Sequence, residues 1–258
     1  MIDLVEPDES YSAGRFRRDF ESLLEDLARR NVSALAVGGT GFYWEAVSGG
    51  LHPLPEADPE VRARVAGRRE ADGPGATWER LRSVDPQTAA RLAPGDRQRV
   101  GRALEIFEQS GRPLSAWLAA ERTVGPAAAV PVAALIRPRP ELLMRIASRC
   151  LAMREAGLVA ELRALLSEAL SPESPGLRTV GYREYLAHLL CGRSLEECDA
   201  DFLRATRAYA KRQRTWIRNR GAGCQVIDWV EGASLEEITR RTEIALLLSG
   251  EPPAGRGA

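Results

Sequence analysis

The sequence has no excess charge of either sign, no long apolar run and no basic N-terminal leader. Its 258 residues carry 36 Lys and Arg against 36 Asp and Glu, so the overall charge indicates no class of partner. Nearly all of the positive charge is arginine. No run approaches the ~20 apolar residues that a membrane span needs. The start, MIDLVE, has neither a basic stretch nor an apolar signal core, so we expect a cytoplasmic protein with no membrane partner.

Cysteine and histidine are scarce and scattered. Four cysteines form no C-x-x-C pair, and only two histidines accompany them. A structural zinc site needs four such ligands at close spacing, so we identify no metal site. We expect reduced, buried thiols at Cys150, Cys191, Cys198 and Cys224. The 44% hydrophobic content is sufficient for one domain with an insertion.

Four apolar segments predict strands. SALAV, at residues 33–37, is a continuous apolar run ended by two glycines, as in a parallel strand that is buried on both faces. Strands are also predicted at the start of the chain up to Pro7, at residues 130–137 and at residues 224–230.

Helical periodicity fills most of the remaining sequence. Ser12 is a predicted N-cap for a helix over 14–30, and further helices are expected from Phe42, over 97–109, on both sides of Gly157, over 203–218 and near the C-terminus. No strand pattern occurs between residues 56 and 120. The sequence therefore predicts an α/β core formed by 1–55 and 121–258, an all-helical insertion over 56–120, and a disordered tail from residue 250.

The long helix over 203–218 is the most basic segment. Residues 204–220 contain seven basic side chains and no acidic one. Five of them recur at spacings of three and four and so share one helix face: Arg204, Arg207, Lys211, Arg214 and Arg218. Such a face either pairs with acids from elsewhere or binds an anion. The lack of an acid within the segment favours phosphate or polyphosphate.

Two smaller clusters suggest contacts with nucleic acid. Arg97, Gln98, Arg99 and Arg102 can bind phosphates and base edges, or they can form an ordinary solvated helix start. Arg178, Tyr182 and Arg183 can stack on an unpaired base, although a tyrosine in this place is as often a core residue.

The segment VGGTGFY, at residues 37–43, is rich in glycine between a predicted strand and a predicted helix. It lacks the G-K-[ST] ending of a phosphate-binding loop, and no G-x-x-x-x-G-K-[ST] occurs anywhere in the sequence. The glycines therefore indicate only that the backbone approaches another part of the structure closely.

In their order along the chain, these segments resemble the tRNA dimethylallyltransferase family. The resemblance covers Met1 to about Arg218 and rests on EPDESYSAGRFRRDF, VGGTGFYWEAVSGGLHPLPEADPEVRARV, LAPGDRQRVGRALEIFEQSGRPLS, TVGYREYL and RATRAYAKRQRTWIR. The VGGTGFY to PLPEADP stretch and the TRAYAKRQRTW block are the most specific parts.

The resemblance implies a fold and an activity. The expected core is a parallel sheet like that of P-loop NTPases and nucleotide kinases, which is a nucleotide-binding type of fold. A helical insertion in this core is expected to bind the anticodon stem-loop. The expected reaction transfers a dimethylallyl group from dimethylallyl diphosphate to N6 of the adenosine that follows the anticodon, tRNA position 37. Mg²⁺ is the expected cofactor, and we expect a monomer.

The resemblance also assigns roles to residues. Arg207 matches the basic helix that faces the diphosphate, with Lys211 and Arg214 in support. Positions matching tRNA contacts are Thr40, Arg62, Gln98, Arg99, Val100, Gly101, Arg102, Arg178, Gly181, Tyr182 and Arg183.

The family's first strand, phosphate-binding loop and D-S-x-Q segment, which supplies the general base, have no counterpart in this sequence. We therefore expect an incomplete core and no prenyl transfer by this chain alone. Three hypotheses follow: a prenyltransferase whose natural start lies upstream, a non-catalytic tRNA-binding remnant, and a helical scaffold whose arginine faces bind proteins.

Overall fold

The computed structural model describes residues 1–123, 125, 127, 130–220, 224–230 and 232–249. They fall into two compact units: Met1–Trp44 with Ala129–Ala258, and Glu45–Ala128. The predicted insertion over 56–120 lies within the second unit. The predicted disordered tail lies outside the described residues.

The first unit contains a two-stranded parallel sheet. Strand β1 (Val132–Ile136) pairs with β2 (Cys224–Asp228), with Val132 opposite Cys224 and Ile136 opposite Asp228. Because parallel strands need a long crossover, the chain between them forms four helices: α7 (Arg139–Glu155), α8 (Leu158–Ser167), α9 (Tyr182–Cys191) and α10 (Leu195–Arg220). The prediction of an α/β fold with strands at these two places is confirmed.

The crossover helices enclose the core of the first unit. Tyr185 is fully buried and its hydroxyl donates to Asp199 at 2.5 Å. The core consists of Ile146, Cys150, Leu158, Leu162, Leu177, Tyr185, Cys198 and Phe202. The expectation of buried thiols therefore holds for Cys150 and Cys198, but Cys191 is exposed and Cys224 is only half-buried.

Two of the four predicted strands are wrong. Residues 1–7 and 33–37 form no strand, and the side chains of Leu35 and Val37 are 81% and 88% exposed. A strand needs a neighbour that pairs with its backbone groups, and no described residue pairs with the SALAV run. Its apolar composition indicated burial, but the described part of the chain offers it no surface.

Helices α1 and α2 precede the sheet, and α11 follows it. Helix α1 (Ala13–Arg29) begins at the predicted cap, where the Ser12 hydroxyl accepts from the Arg15 amide at 3.1 Å. Its Phe16 stacks on Tyr43 of α2 (Gly41–Ser48), with ring centroids 4.5 Å apart. Helix α11 spans Leu235–Ser249. None of the helices among the described residues is long and apolar enough to span a membrane.

The second unit is formed mainly by four helices: α3 (Pro59–Val84), α4 (Pro86–Ala89), α5 (Arg97–Ser110) and α6 (Leu114–Leu118). Helix α3 is kinked at Gly73, whose φ of 80° suits glycine, and Pro74 follows. Asp85 lies in the core and accepts from the Thr88 hydroxyl at 2.6 Å and from the amides of Thr88 and Ser115. These bonds tie α4 and α6 to the end of α3.

Candidate functional site

The basic face of α10, formed by Arg204, Arg207, Lys211, Arg214 and Arg218, has an uneven charge balance. Arg207, Lys211 and Arg218 are exposed, and no described carboxylate lies within ion-pair distance of any of them. Arg204 instead pairs with Asp201. The sequence predicted a helix that starts at residue 203 and therefore left Asp201 out. In the structure α10 begins eight residues earlier, at Leu195, and includes Asp201. Arg214 donates to a backbone carbonyl and also lacks a described carboxylate partner, so four of the five cations have none among the described residues, and like charges at this spacing repel one another unless an anion binds.

A cavity of about 300 Å³ lies at the carboxyl ends of the two strands. This edge of a parallel sheet is the usual place for a ligand in α/β folds. The guanidinium of Arg214 donates to the Arg137 carbonyl at 3.4 Å, and that of Arg137 lies 3.6 Å from the ring centroid of Trp229. The other lining residues are Leu135, Ile136, Leu142, Ala210, Gln213 and Ile217. The Arg137 guanidinium is already paired with Glu141, so the Arg214 guanidinium and the apolar walls together suit a small apolar group attached to an anion.

The glycine-rich segment lies against α10. Nε2 of Gln213 donates to the Gly39 carbonyl at 2.9 Å. A Cβ on Gly41 would lie 2.3 Å from the ring of Trp216. Thr40, between these glycines, is exposed, and its carbonyl accepts from the amides of Tyr43 and Trp44 at the start of α2. The close approach expected from the glycines is therefore an approach to α10.

The structure does not place Thr40 on the basic face. At 100° per residue, Gln213 and Trp216 lie roughly 120° and 180° around the helix from Arg207. Thr40 therefore meets α10 on the side away from Arg207. Gln213 and Arg214 both line the cavity, so the cavity lies between the glycine segment and the basic face.

The predicted contacts of the second unit already have carboxylate partners. Arg99 pairs with Asp96 at 2.6 Å, and this contact together with the Arg99 amide holds the pKa of Asp96 below its usual value. Glu105 forms ion pairs with both Arg62, at 3.7 Å, and Arg102, at 3.2 Å.

The other three predicted contacts on α5 differ in exposure. Gln98 is exposed, whereas Val100 and Gly101 are buried in the core of the unit. The latter two therefore present no side-chain surface to a nucleic acid.

Sequence reasoning missed another arginine cluster in this unit. Glu108, whose side chain is only 9% exposed, pairs with Arg64, Arg68 and Arg80 at 2.8–3.3 Å. Both segments of α3, before and after the kink, are thereby bound to α5. The wide spacing of the three arginines along the sequence gave no local signal for it.

The third predicted cluster, around Tyr182, is also largely paired. Arg178 binds Glu173 at 2.9 Å, and Arg183 binds Glu184 at 2.5 Å. Tyr182 packs against the core and its hydroxyl donates to Glu161 at 2.6 Å; burial and this carboxylate raise the pKa of Tyr182 to about 12. Gly181 has a φ of 111°, which starts α9 in a conformation that other residues rarely adopt. The core reading of the tyrosine fits these contacts better than a stacking role.

No group of three or more His, Cys, Asp or Glu residues within the described ranges is placed to hold a metal ion.

The family model described as IPP transferase matches residues 1–220, which include the glycine segment, α5 and α10. The chain belongs to this family. The IPP transferase family consists of prenyl-transferring enzymes, so the predictions of the family and of a transferase are confirmed.

Relatives and solved structures agree with this membership. A tRNA dimethylallyltransferase of Burkholderia lata is 44% identical over 223 residues, which are 84% of this chain and 69% of the relative. One from Phenylobacterium zucineum is 42% identical over 224 residues, or 86% and 72%. The full-length tRNA isopentenylpyrophosphate transferase of Bacillus halodurans superposes with a TM-score of 0.64 at 28% identity, covering 96% of this chain and 78% of that one. A eukaryotic dimethylallyltransferase acting on tRNA has a TM-score of 0.74 over 98% of this chain and 66% of its own; at 24% identity it supports the fold.

Proposed function

We propose that this IPP transferase acts on tRNA and transfers a dimethylallyl group from dimethylallyl diphosphate to N6 of the adenosine that follows the anticodon. The observation that carries the proposal is that Arg207, Lys211 and Arg218, on a helix within the family-matched region, have no carboxylate partner among the described residues. A diphosphate is the anion that the reaction releases. The names of the curated relatives support tRNA as the acceptor.

The reaction assigns distinct tasks to the parts of the site. Negative charge builds on the leaving pyrophosphate as the carbon–oxygen bond breaks, and Arg207 with Lys211 would stabilise it. Arg214, at the cavity, would hold the diphosphate while the apolar walls accept the five-carbon group. The acceptor base must leave its stack to bring its amine to the allylic carbon.

We propose tRNA contacts at Thr40, Arg62, Gln98, Arg99 and Arg102, and with less support at Arg178, Gly181, Tyr182 and Arg183. To contact tRNA, each arginine of this group must leave its carboxylate partner and bind a phosphate of the RNA instead. The exchange costs little for Arg62, Arg99 and Arg178, which are exposed, because a surface ion pair contributes about 0–1 kcal/mol. A contact between tRNA and the backbone of Val100 and Gly101 stays a prediction.

The described residues include no cluster of three or more His, Cys, Asp or Glu side chains that could hold a magnesium ion without a ligand. Mg²⁺ binds readily to phosphate oxygens and keeps several waters, so we propose that it accompanies the diphosphate. The P-loop-like core, the cytoplasmic location, the monomeric state and the lack of transfer by this chain alone stay predictions.

Binding of an anticodon stem-loop RNA tests the proposal. Affinity should fall with salt with a log–log slope of about −0.7 for each phosphate neutralised, and it should fall when guanosine replaces the adenosine after the anticodon. Arg62→Ala and Arg99→Ala should weaken RNA binding and leave the affinity for inorganic pyrophosphate unchanged. Arg82→Ala is the matched control, because Arg82 lies on α3 like Arg62 and pairs with Glu79. Binding that is independent of salt and of the base would refute tRNA as the acceptor.

A transfer assay with the same chain separates two functions. Prenylated RNA would show a complete enzyme and contradict the prediction of no transfer. Specific RNA binding without product would favour a tRNA-binding protein without catalysis.

A further inference from the structure

The contact between the glycine segment and α10 is formed by two side chains of the helix. Gln213 binds the Gly39 carbonyl through its amide nitrogen at 2.9 Å. The ring of Trp216 occupies the space where a side chain of Gly41 would be. The two residues are three apart in α10 and therefore lie on adjacent turns, facing the same way.

Steric contact, and not backbone conformation, explains the glycines of this segment. Gly38, Gly39 and Gly41 do not occur among the residues with positive φ. A Cβ at Gly39 would lie 2.2 Å from Nε2 of Gln213, and one at Gly41 would lie 2.3 Å from Trp216, whereas one at Gly38 would have nothing within 4 Å. The Trp216 ring thus requires a glycine at position 41, a Cβ at position 39 would displace the amide end of Gln213 and its hydrogen bond, and position 38 is free of such a contact.

Trp216 contributes by packing. Its indole Nε1 is buried and has no hydrogen-bond partner among the described residues. A buried, unpaired N–H is unfavourable, so the ring is retained there for its fit against Gly41. Gln213 supplies the directional bond, and Trp216 supplies the surface.

We propose that Gln213 and Trp216 are positioning residues that hold the Gly39–Gly41 segment against α10, and thereby fix Thr40 and the first turn of α2. The carbonyl of Thr40 accepts from the amides of Tyr43 and Trp44, so a change of backbone conformation at Thr40 would weaken the first hydrogen bonds of that helix. Gln213 lines the cavity beside Arg214. One turn of α10 therefore sets the place of Thr40 relative to the cavity.

The consequence for RNA binding rests on the proposed function, in which Thr40 contacts tRNA. A displacement of about 1 Å at a substrate-positioning residue can cost on the order of a hundredfold in rate. Loss of the segment's position through a change outside the cavity, such as Gly41→Ala, should therefore weaken RNA binding and leave the binding of pyrophosphate to the Arg207 face intact.

Four variants of the full chain test the proposal. Gln213→Ala removes the hydrogen bond, and Gln213→Glu keeps the shape but replaces the donor with a carboxylate that repels the Gly39 carbonyl. Gly41→Ala forces a Cβ into Trp216. Gly38→Ala is the control, because its Cβ meets open space. Each variant is measured for stem-loop affinity, pyrophosphate affinity, thermal unfolding and hydrogen exchange at the amides of Tyr43 and Trp44.

The Gln213 variants should bind the stem-loop about fivefold to tenfold more weakly, the usual effect of one hydrogen bond. Gly41→Ala should weaken binding at least as much, and Gly38→Ala should match the parent. Exchange at the Tyr43 and Trp44 amides should rise in every variant except Gly38→Ala. Two further variants extend this set: Gly39→Ala, and the double variant Gly39→Ala with Gln213→Ala, which should be no worse than either single change because both remove the same contact.

Unchanged exchange at both amides in Gln213→Ala and Gly41→Ala would overturn the proposal, whatever the RNA result. Raised exchange with unchanged RNA affinity would overturn the positioning role for tRNA. A parent chain that binds no stem-loop would refute the proposed function instead, and hydrogen exchange would still decide whether α10 holds the segment.

Discussion

Replacement of Arg207 by alanine distinguishes a diphosphate site on α10 from an RNA contact. Arg207 is exposed and no described carboxylate lies within ion-pair distance of it. Lys211, the only lysine of the sequence, lies one turn further along the same face. The substitution therefore removes one charge from the face without leaving a buried partner unpaired, so the fold should keep its stability.

The loss of pyrophosphate affinity in Arg207→Ala can be estimated from the exposure of the site. Two unit charges 4 Å apart interact by about 1 kcal/mol in bulk water and about 4 kcal/mol near a protein surface. A net loss of about 2 kcal/mol corresponds to a pyrophosphate affinity about thirtyfold weaker. Arg204→Ala should change it less, because Asp201 already neutralises Arg204.

Isothermal titration with pyrophosphate measures these affinities, and Arg212→Ala is the control. Arg212 is exposed on the same helix but lies about 140° around it from Arg207, where it stacks on Tyr209. In any transfer reaction, Arg207→Ala should slow the single-turnover step about a hundredfold, since charge develops on the leaving group only as the bond breaks. If Arg207→Ala weakens RNA binding alone, the basic face is an RNA contact and the diphosphate assignment is wrong.

Two predictions concern stability. Burial opposes ionisation of Asp85, but the hydrogen bonds from Thr88 and Ser115 outweigh this effect and lower the pKa of the carboxyl group. The ionised Asp85 therefore stabilises the fold above about pH 4, and this stabilisation is lost as the pH falls through the lowered pKa. Asp85→Ala should reduce the free energy of unfolding by about 3 kcal/mol at neutral pH and flatten the acid limb of a denaturation profile; an unchanged profile would contradict this. Replacement of Leu35 and Val37 by lysine should reduce self-association and binding of a hydrophobic dye without lowering the melting temperature, because both side chains are exposed. A fall in melting temperature would show that the run packs against the fold in solution.

The sequence predicted most of the helices, although not α9, and half of the strands, for physical reasons that are local. The Ser12 cap, the Asp96 cap of α5 and the glycine- and proline-free run of α10 each specify a helix from neighbouring residues. A strand depends on a partner that is distant in sequence. The segments that form β1 and β2 pair with each other, whereas the equally apolar SALAV segment has no pairing partner among the described residues.

The candidate site shows the same limit. Basic residues were found by composition, but their partners decide which of them are available to a ligand. Some partners were within reach of a helical reading, such as Asp96 for Arg99 and Asp201 for Arg204, both at a spacing of three. Glu108 was not, because its arginines come from 28 to 44 residues away.

The TRAYAKRQRTW block illustrates how one helix can carry several constraints at once. Three of its four basic positions, Arg207, Lys211 and Arg214, lie on one face. Gln213 and Trp216 contact the glycine segment, 174 residues from Gln213 along the chain. Between these two faces, Arg214 and Gln213 line the cavity at the ends of the strands. A change at any of these positions alters a charge, a hydrogen bond or a packed surface. The specificity of this block is therefore better explained by three faces of α10, each with its own contact, than by a demand for positive charge alone.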